Sequence, residues 1–312
     1  MILIPILAIY LYAMSEPLIS VIVPNYNHAR FLEQRLESIF NQSYQHIEVI
    51  LLDDCSTDTS QSILLEYSKH PKVSHCLFNE TNSGSPFKQW QKGIELAKGC
   101  YIWIAESDDN CELNFLEQLL KLFDDKRTVL AYCASTVINN QGEKLGRHTW
   151  ADALDSKRWT NSFLNRGKDE IKRFIRYRNA ITNASAVVFK KSAIMGVHYP
   201  IHMKFCGDWY IWIEILKQGN IAYDHNELNY FRRHLDSTKT VKTFHLENQR
   251  ISEYLEIFLA NSSFFSRLLN RNKYLWVLNE WHEKKRFFPK KTLKELGFPV
   301  DFLMFFRLKE KK

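Results

Sequence analysis

No Gly-x-Gly-x-x-Gly follows the first β-branched run of the chain, Leu18 to Val23, which stops at Pro24. A dinucleotide needs the close backbone approach that such glycines permit, so a nicotinamide or flavin enzyme of the ordinary kind is disfavoured. Pro24 to His28 also lacks the basic or glycine-rich phosphate loop that a nucleotidyltransferase usually carries early in the chain. The six cysteines (Cys55, Cys76, Cys100, Cys111, Cys133, Cys206) make no C-x-x-C pair and no His spacing typical of zinc, which points to unpaired thiols in a reducing compartment. Internal repeats and low-complexity linkers are missing. Met1 to Ala13 is apolar without a Lys or Arg, too short to span a bilayer and without the basic lead of a signal peptide. Met14-Ser15-Glu16-Pro17 runs straight into a strand, which favours Met14 as the start over a membrane-grazing anchor.

Net positive charge is confined to the tail. The 312 residues carry a net +7, but residues 261–312 hold 13 Lys+Arg against 5 Asp+Glu, which leaves the first 260 close to neutral. A near-neutral body, and a basic tail with no RNA or DNA motif, argue against nucleic acid as a partner. The tail mixes Lys284-Lys285-Arg286-Phe287-Phe288 with Phe302-Leu303-Met304-Phe305-Phe306-Arg307. Such a mixture suits an interfacial segment on anionic lipid or, equally, a packed helix with a solvated basic face.

What the chain does have is carboxylates at the ends of apolar runs. Tyr101-Ile102-Trp103-Ile104 does not alternate, as expected of a strand buried on both faces, and it leads into Glu106-Ser107-Asp108-Asp109. Ile47 to Leu52 ends in Asp53-Asp54 in the same way. In open α/β sheets ligands bind beyond the carboxyl ends of the strands, and carboxylates there suit Mg²⁺ or Mn²⁺ together with phosphate oxygens. Helix capping is the competing reading for Asp108 and Asp109, ahead of a helix from near Glu112, and for Asp208 ahead of Trp209 to Lys217. Asn27 is placed to cap a helix running to about Asn41. Lys88 and Lys92 lie one turn apart near the start of the helix Phe87 to Lys98, where a cation opposes the dipole and can meet an anion.

With strands also at Val73 to Phe78 and Val129 to Ile138, the first 138 residues read as β-α alternation. That predicts a mostly parallel, three-layer α/β/α sheet. Asn139 to Gly142 reads as a hairpin turn, and Trp150 to Asn183 as aromatic and irregular with a helix near 169–178. Ala184 to Phe189, Ile221 to Tyr223 and Leu228 to Phe231 read as further strands, and the chain from Lys242 as helical. The expected divisions are an apolar lead (1–14), a catalytic domain (15–240, with a nucleotide half to 138 and an acceptor half after it) and a basic helical extension (241–312).

Four motifs in order resemble family 2 glycosyltransferases of the GT-A fold: Val21-Ile22-Val23-Pro24-Asn25-Tyr26-Asn27, Leu52-Asp53-Asp54-Cys55-Ser56-Thr57-Asp58, Asn82-Ser83-Gly84 with Gly93 to Asp109, and Gly207-Asp208-Trp209. The resemblance covers roughly residues 18–240. It implies inverting transfer of a sugar from a nucleoside-diphosphate donor to a hydroxyl, helped by divalent Mn²⁺ or Mg²⁺. It implies Asp208 as catalytic base. Pro24, Tyr26, Asp54, Gly84, Lys88, Asp108 and Arg233 would contact the donor, Asp54 at the base and Asp108 at the ribose, while Asp109 and His234 would hold the metal. The family often has an Arg-Asn pair before the glycine of its third motif, where this chain has Lys88-Gln89-Trp90-Gln91-Lys92-Gly93, and a glycine where it has Cys55. The expected setting is cell-surface polysaccharide or glycan synthesis, with a glycan or lipid-linked saccharide as acceptor. The expected location is cytoplasmic, peripheral at the inner face of the membrane. A nucleotidyltransferase and an inactive nucleotide-sugar-binding relative are the alternatives.

Overall fold

The computed structural model describes residues 16–234 and 244–263. The expectations for Met1 to Ala13, for the loop beyond His234 and for the basic tail lie outside these residues. The first half winds as β1 (Ile19–Asn25), α1 (Ala29–Phe40), β2 (Ile47–Asp53), α2 (Ser60–Tyr67), β3 (Val73–Phe78), α3 (Pro86–Leu96) and β4 (Tyr101–Ile104). A short β5 (Asn110–Cys111), α4 (Phe115–Lys121), β6 (Thr128–Ile138) and β7 (Lys144–Arg147) follow. The second half adds β8 (Phe163–Arg166), α5 (Gly167–Glu170), β9 (Val187–Lys190), α6 (Gly207–Leu216), β10 (Asn220–Arg232) and α7 (Phe244–Ala260).

The ten strands of the described residues join one sheet in the order β3-β2-β1-β4-β9-β6-β10-β5, with β7 on β6 and β8 on β10. The β3-β2-β1-β4 half is parallel, as the β-α alternation requires. β9 then enters antiparallel between β4 and β6, so the sheet as a whole is mixed. Every residue of β1, β2 and β6 is buried, the signature of strands covered on both faces. One apolar layer packs α1, α2 and α4 through Leu32, Leu36, Leu64 and Phe115. The opposite layer packs α3, α6 and α7 through Trp90, Trp209, Trp212 and Ile257. The two short strands expected around Ile221 and Leu228 form one strand, β10, whose register shifts at Asp224–Glu227 interrupt the pattern. The helix expected near 169–178 is α5 running on as a wider π-type turn over Ile171–Ile175.

Two loop residues at the carboxyl edge adopt left-handed backbone, Asn27 at φ +56° and Cys55 at φ +63°. Asn27 therefore does not cap α1; its Oδ1 accepts the Thr57 N–H at 2.7 Å. The cap comes across the cleft instead, with Asp58 Oδ2 accepting the Ala29 N–H at 2.9 Å. For a cysteine, a left-handed conformation costs about 1–2 kcal/mol. Cys55→Gly is thus expected to stabilise the protein by about 1 kcal/mol, seen as a higher denaturant midpoint with an unchanged slope. An unchanged or lower midpoint would mean that the thiol contact to the Glu80 carbonyl, 3.4 Å, outweighs the relief of strain.

Candidate functional site

The residues after β4 form a turn whose carboxylates face different neighbours. Helix α4 begins after Asn114, and β5 intervenes, so neither Asp108 nor Asp109 caps it. Asp109 is buried, with Oδ1 accepting the Arg232 N–H at 2.9 Å and Oδ2 accepting from Asn183 Nδ2 at 3.0 Å. Asp108 turns the other way, and its Oδ2 lies 2.9 Å from His234 Nε2. It is thus Asp108, not Asp109, that lies against His234, since Asp109 ties β10 to the turn. His28, from the loop after β1, joins them: its Nδ1 is 2.8 Å from Ser107 Oγ, and its ring meets that of His234 edge-on at 5.4 Å. One ligand atom from each of His28, Asp108 and His234 lies within 4.8 Å of the others. Two imidazole nitrogens and one carboxylate oxygen are a donor set that fits a divalent ion.

Burial raises the Asp108 carboxyl, but the hydrogen bond from His234 and the proximity of His28 outweigh it and hold the group below its usual range. Burial, and then Asp108, push Asp109 up to about 6. Glu106, whose Oε1 accepts the Trp90 indole N–H at 2.9 Å, is pushed up to about 8 by loss of water and by Asp108. A carboxyl raised on folding adds stability below the unfolded value, near 4.5, and that stability is lost as pH climbs through the folded value. Glu106→Gln keeps the indole's acceptor and removes the titration. Its melting temperature is expected to match wild type at pH 5 and to exceed it by pH 8.5. Parallel pH profiles for the two proteins would show that Glu106 titrates normally.

Asp54, at the end of β2, holds the loop before α3. Its Oδ1 accepts from Asn79 Nδ2, the Ser83 N–H and Gln89 Nε2 at 2.7–2.9 Å, and its Oδ2 accepts from Ser83 Oγ at 2.8 Å. Lys88 and Lys92 reach the same loop, at the Ser83 carbonyl and Asn79 Oδ1, both at 2.9 Å. Gly84 supplies the positive φ, +75°, that turns this loop into α3. Pro24 sits in register with Leu52 inside the sheet, and Tyr26 just beyond it is 45% exposed. Arg233 is exposed at the end of β10. Its neighbour Arg232 is 2% exposed and donates to Asn139 O, Asn140 O, Asp108 O and Gln34 Oε1, a brace with no free face for an anion.

Asp208 lies in the first turn of α6, one residue inside the helix, so it is not the cap that Asp at a helix start suggests. Its Oδ2 accepts from Asn179 Nδ2 at 3.0 Å, and Oδ1 accepts the Trp209 N–H at 2.7 Å. Gly207 brings α6 against α3: a Cβ there would sit 2.5 Å from the Phe87 ring. Glu253 of α7, 4% exposed, fixes the approach to α6 by accepting the N–H groups of Lys204, Phe205 and Cys206 at 2.8–2.9 Å. Helix α3 thus touches all three carboxylate regions, with Phe87 at α6, Gln89 at Asp54 and Trp90 at Glu106. A second link runs through 179–183, where Asn179 holds Asp208 and Asn183 holds Asp109.

Sequence reasoning missed His28, Gln89, Asn179, Asn183 and Glu253. His28 had a signal, being a loop residue just beyond a strand's carboxyl end. The asparagines and Glu253 had none, since their partners are 29 to 74 positions away. Most of the aromatic residues that suit an acceptor cleft are core: Trp159, Trp209 and Trp212 are buried, while Trp150 is 36% exposed and stacks under Arg178 at 3.5 Å. Among the described residues no helix is long and apolar enough to cross a membrane.

The model for glycosyl transferase family 2 matches residues 20–195. The putative teichuronic acid biosynthesis glycosyltransferase TuaG of Bacillus subtilis is 27% identical over 212 residues, 68% of this chain and 77% of that protein. Glycosyltransferase GlyG of Streptococcus pneumoniae is 42% identical over 113 residues, 36% of this chain and 37% of that one. Among solved structures, S. aureus TarS 1–349 in complex with UDP superposes with a TM-score of 0.63 at 17% identity, over 89% of this chain and 76% of that chain. The same protein with UDP-GlcNAc gives 0.57 at 18% identity, over 84% and 80%. These superpositions match the GT-A fold of the sheet and its two helical layers.

Proposed function

The chain belongs to glycosyl transferase family 2, and from that premise we propose that it transfers a sugar from a uridine-diphosphate donor to a hydroxyl of a cell-surface glycan, with inversion. The observation that carries the reading is helix α3, which joins the Asp54 loop, the Glu106–Asp109 turn and the Asp208 helix at one edge of the sheet. The donor's nucleotide belongs at the ends of β1 and β2, where the exposed Tyr26 ring offers a stacking face beside Pro24 and Asp54 shapes the pocket wall. Lys88, at the first turn of α3 after Gly84, and exposed Arg233 supply positive charge for the diphosphate.

The acceptor oxygen bonds to the anomeric carbon as that carbon's bond to the diphosphate oxygen breaks. The acceptor proton passes to Asp208, and the nucleoside diphosphate leaves. Asn179 keeps Asp208 pointed for this transfer, and a carboxylate within hydrogen-bond reach is sufficient as base. A divalent ion held by Asp108 and His234 would offset the negative charge gathering on the leaving diphosphate. The UDP and UDP-GlcNAc bound to TarS support the uridine donor, and the description of TuaG supports the cell-surface acceptor.

A melting-temperature panel of nucleotide sugars with and without Mn²⁺ tests the donor. A UDP-sugar at 100 times its dissociation constant is expected to add about 2.7 kcal/mol of stability. Release of free nucleoside diphosphate on adding acceptor completes the test. Pyrophosphate release instead, or no stabilisation by any nucleotide sugar, would overturn the reading.

A further inference from the structure

We propose that His28 is a third protein ligand of the divalent ion, so that the protein binds the ion before any nucleotide arrives and favours ions that accept imidazole nitrogen, Co²⁺ and Zn²⁺ most and Mn²⁺ less, over Mg²⁺. The inference rests on the donor reading above and adds a residue to it. His28 reaches the cluster from the β1–α1 loop, Asp108 from the turn after β4, and His234 from the end of β10, so three separate segments converge on one point. Two adjacent ligands about 2.1 Å from a common ion stand about 3 Å apart. His234 Nε2 and Asp108 Oδ2, at 2.9 Å, already have that spacing. The widest separation in the group, at most 4.8 Å, is within about 1 Å of the roughly 4.2 Å that separates two ligands on opposite sides of one ion.

The surroundings orient each ring. Ser107 Oγ occupies His28 Nδ1 and leaves Nε2 for the ion, the arrangement by which ligating histidines are usually held. Arg30 Nη2 lies 3.3 Å from His234 Nδ1 and can only donate, so Nδ1 accepts and Nε2–H is given to Asp108. Loading the ion at Nε2 shifts that proton to Nδ1, at the expense of the Arg30 contact. Three protein ligands leave the remaining positions for diphosphate oxygens. A strongly hydrated Mg²⁺, which prefers all-oxygen surroundings, gains little from two imidazoles.

The test is calorimetric titration of the chelator-stripped protein with Mn²⁺ or Mg²⁺, without nucleotide, alongside the visible spectrum of the Co²⁺-loaded protein. Wild type is expected to bind Mn²⁺ at least about tenfold more tightly than Mg²⁺, and His28→Ala to weaken Mn²⁺ binding by at least about tenfold and change the Co²⁺ bands. His28→Asn retains a polar contact to Ser107 and is expected to lose the same affinity, with an unaltered melting temperature of the ion-free protein. Wild-type Mn²⁺ affinity in both variants, or no uptake by nucleotide-free wild type, overturns the role of His28 and leaves the donor reading standing. UDP binding with Mn²⁺, measured on the same samples, separates the cases, because its absence in wild type would sink the donor reading itself.

Discussion

Asp208→Asn is expected to lower the turnover number about 10²- to 10⁴-fold, the usual contribution of a general base, while donor affinity stays at the wild-type value. The substitution is nearly isosteric, and its single amide oxygen can keep one of the two contacts, that from Asn179 Nδ2 or that from the Trp209 N–H. What disappears is the capacity to take a proton. The measurement is sugar transfer under saturating donor, paired with calorimetric donor binding. Near-normal turnover would show that another group accepts the proton. Loss of both turnover and donor binding would instead mean that Asp208 shapes the donor pocket.

The second large effect is expected at Asp108, and it separates two adjacent carboxylates that look alike on paper. Loss of an outer-shell partner of a metal ligand typically costs 10- to 100-fold in metal affinity, so Asp108→Asn, which removes the ligand proposed above, is expected to weaken metal-dependent donor binding by more than about 100-fold. Asp109→Asn leaves that binding within a few-fold of wild type but destabilises the fold. An amide at 109 cannot accept from both the Arg232 N–H and Asn183 Nδ2 on its two ends. The donor left unpaired in a buried place costs about 1–3 kcal/mol. Calorimetry with Mn²⁺ and a nucleoside diphosphate, together with chemical denaturation, reads both quantities. The reverse pattern, with Asp109→Asn losing the donor and Asp108→Asn only stability, would return the metal role to Asp109.

The parallel half of the sheet was legible because buried parallel strands are written as unbroken apolar runs, and Ile47 to Leu52 or Tyr101 to Ile104 admit few other readings. So was the placement of acidic residues at strand ends. The insertion of β9 between β4 and β6 was not legible, since Val187 to Phe189 is a short apolar run that gives no hint of its direction or neighbours. The division of labour between Asp108 and Asp109 was equally hidden. It depends on which carboxylate meets the backbone N–H of Arg232, 123 positions away, and no local pattern encodes that contact. The cap readings failed for a related reason: His28 and Cys206 precede α1 and α6 without side-chain caps, and the Ala29 N–H is served by Asp58 from another loop. Long-range hydrogen bonds overrode the local rule.

The grip of Glu253 on residues 204–206 has a consequence for where the working unit stops. A chain shortened at residue 240 would retain Asp54, Asp108, Asp109 and Asp208, yet would release the segment that leads into the Asp208 helix. The region matched by the family model ends at residue 195, so the proposed base Asp208 and the proposed metal ligand His234 lie outside it. Among the described residues, the smallest piece that keeps its machinery aligned extends beyond residue 253.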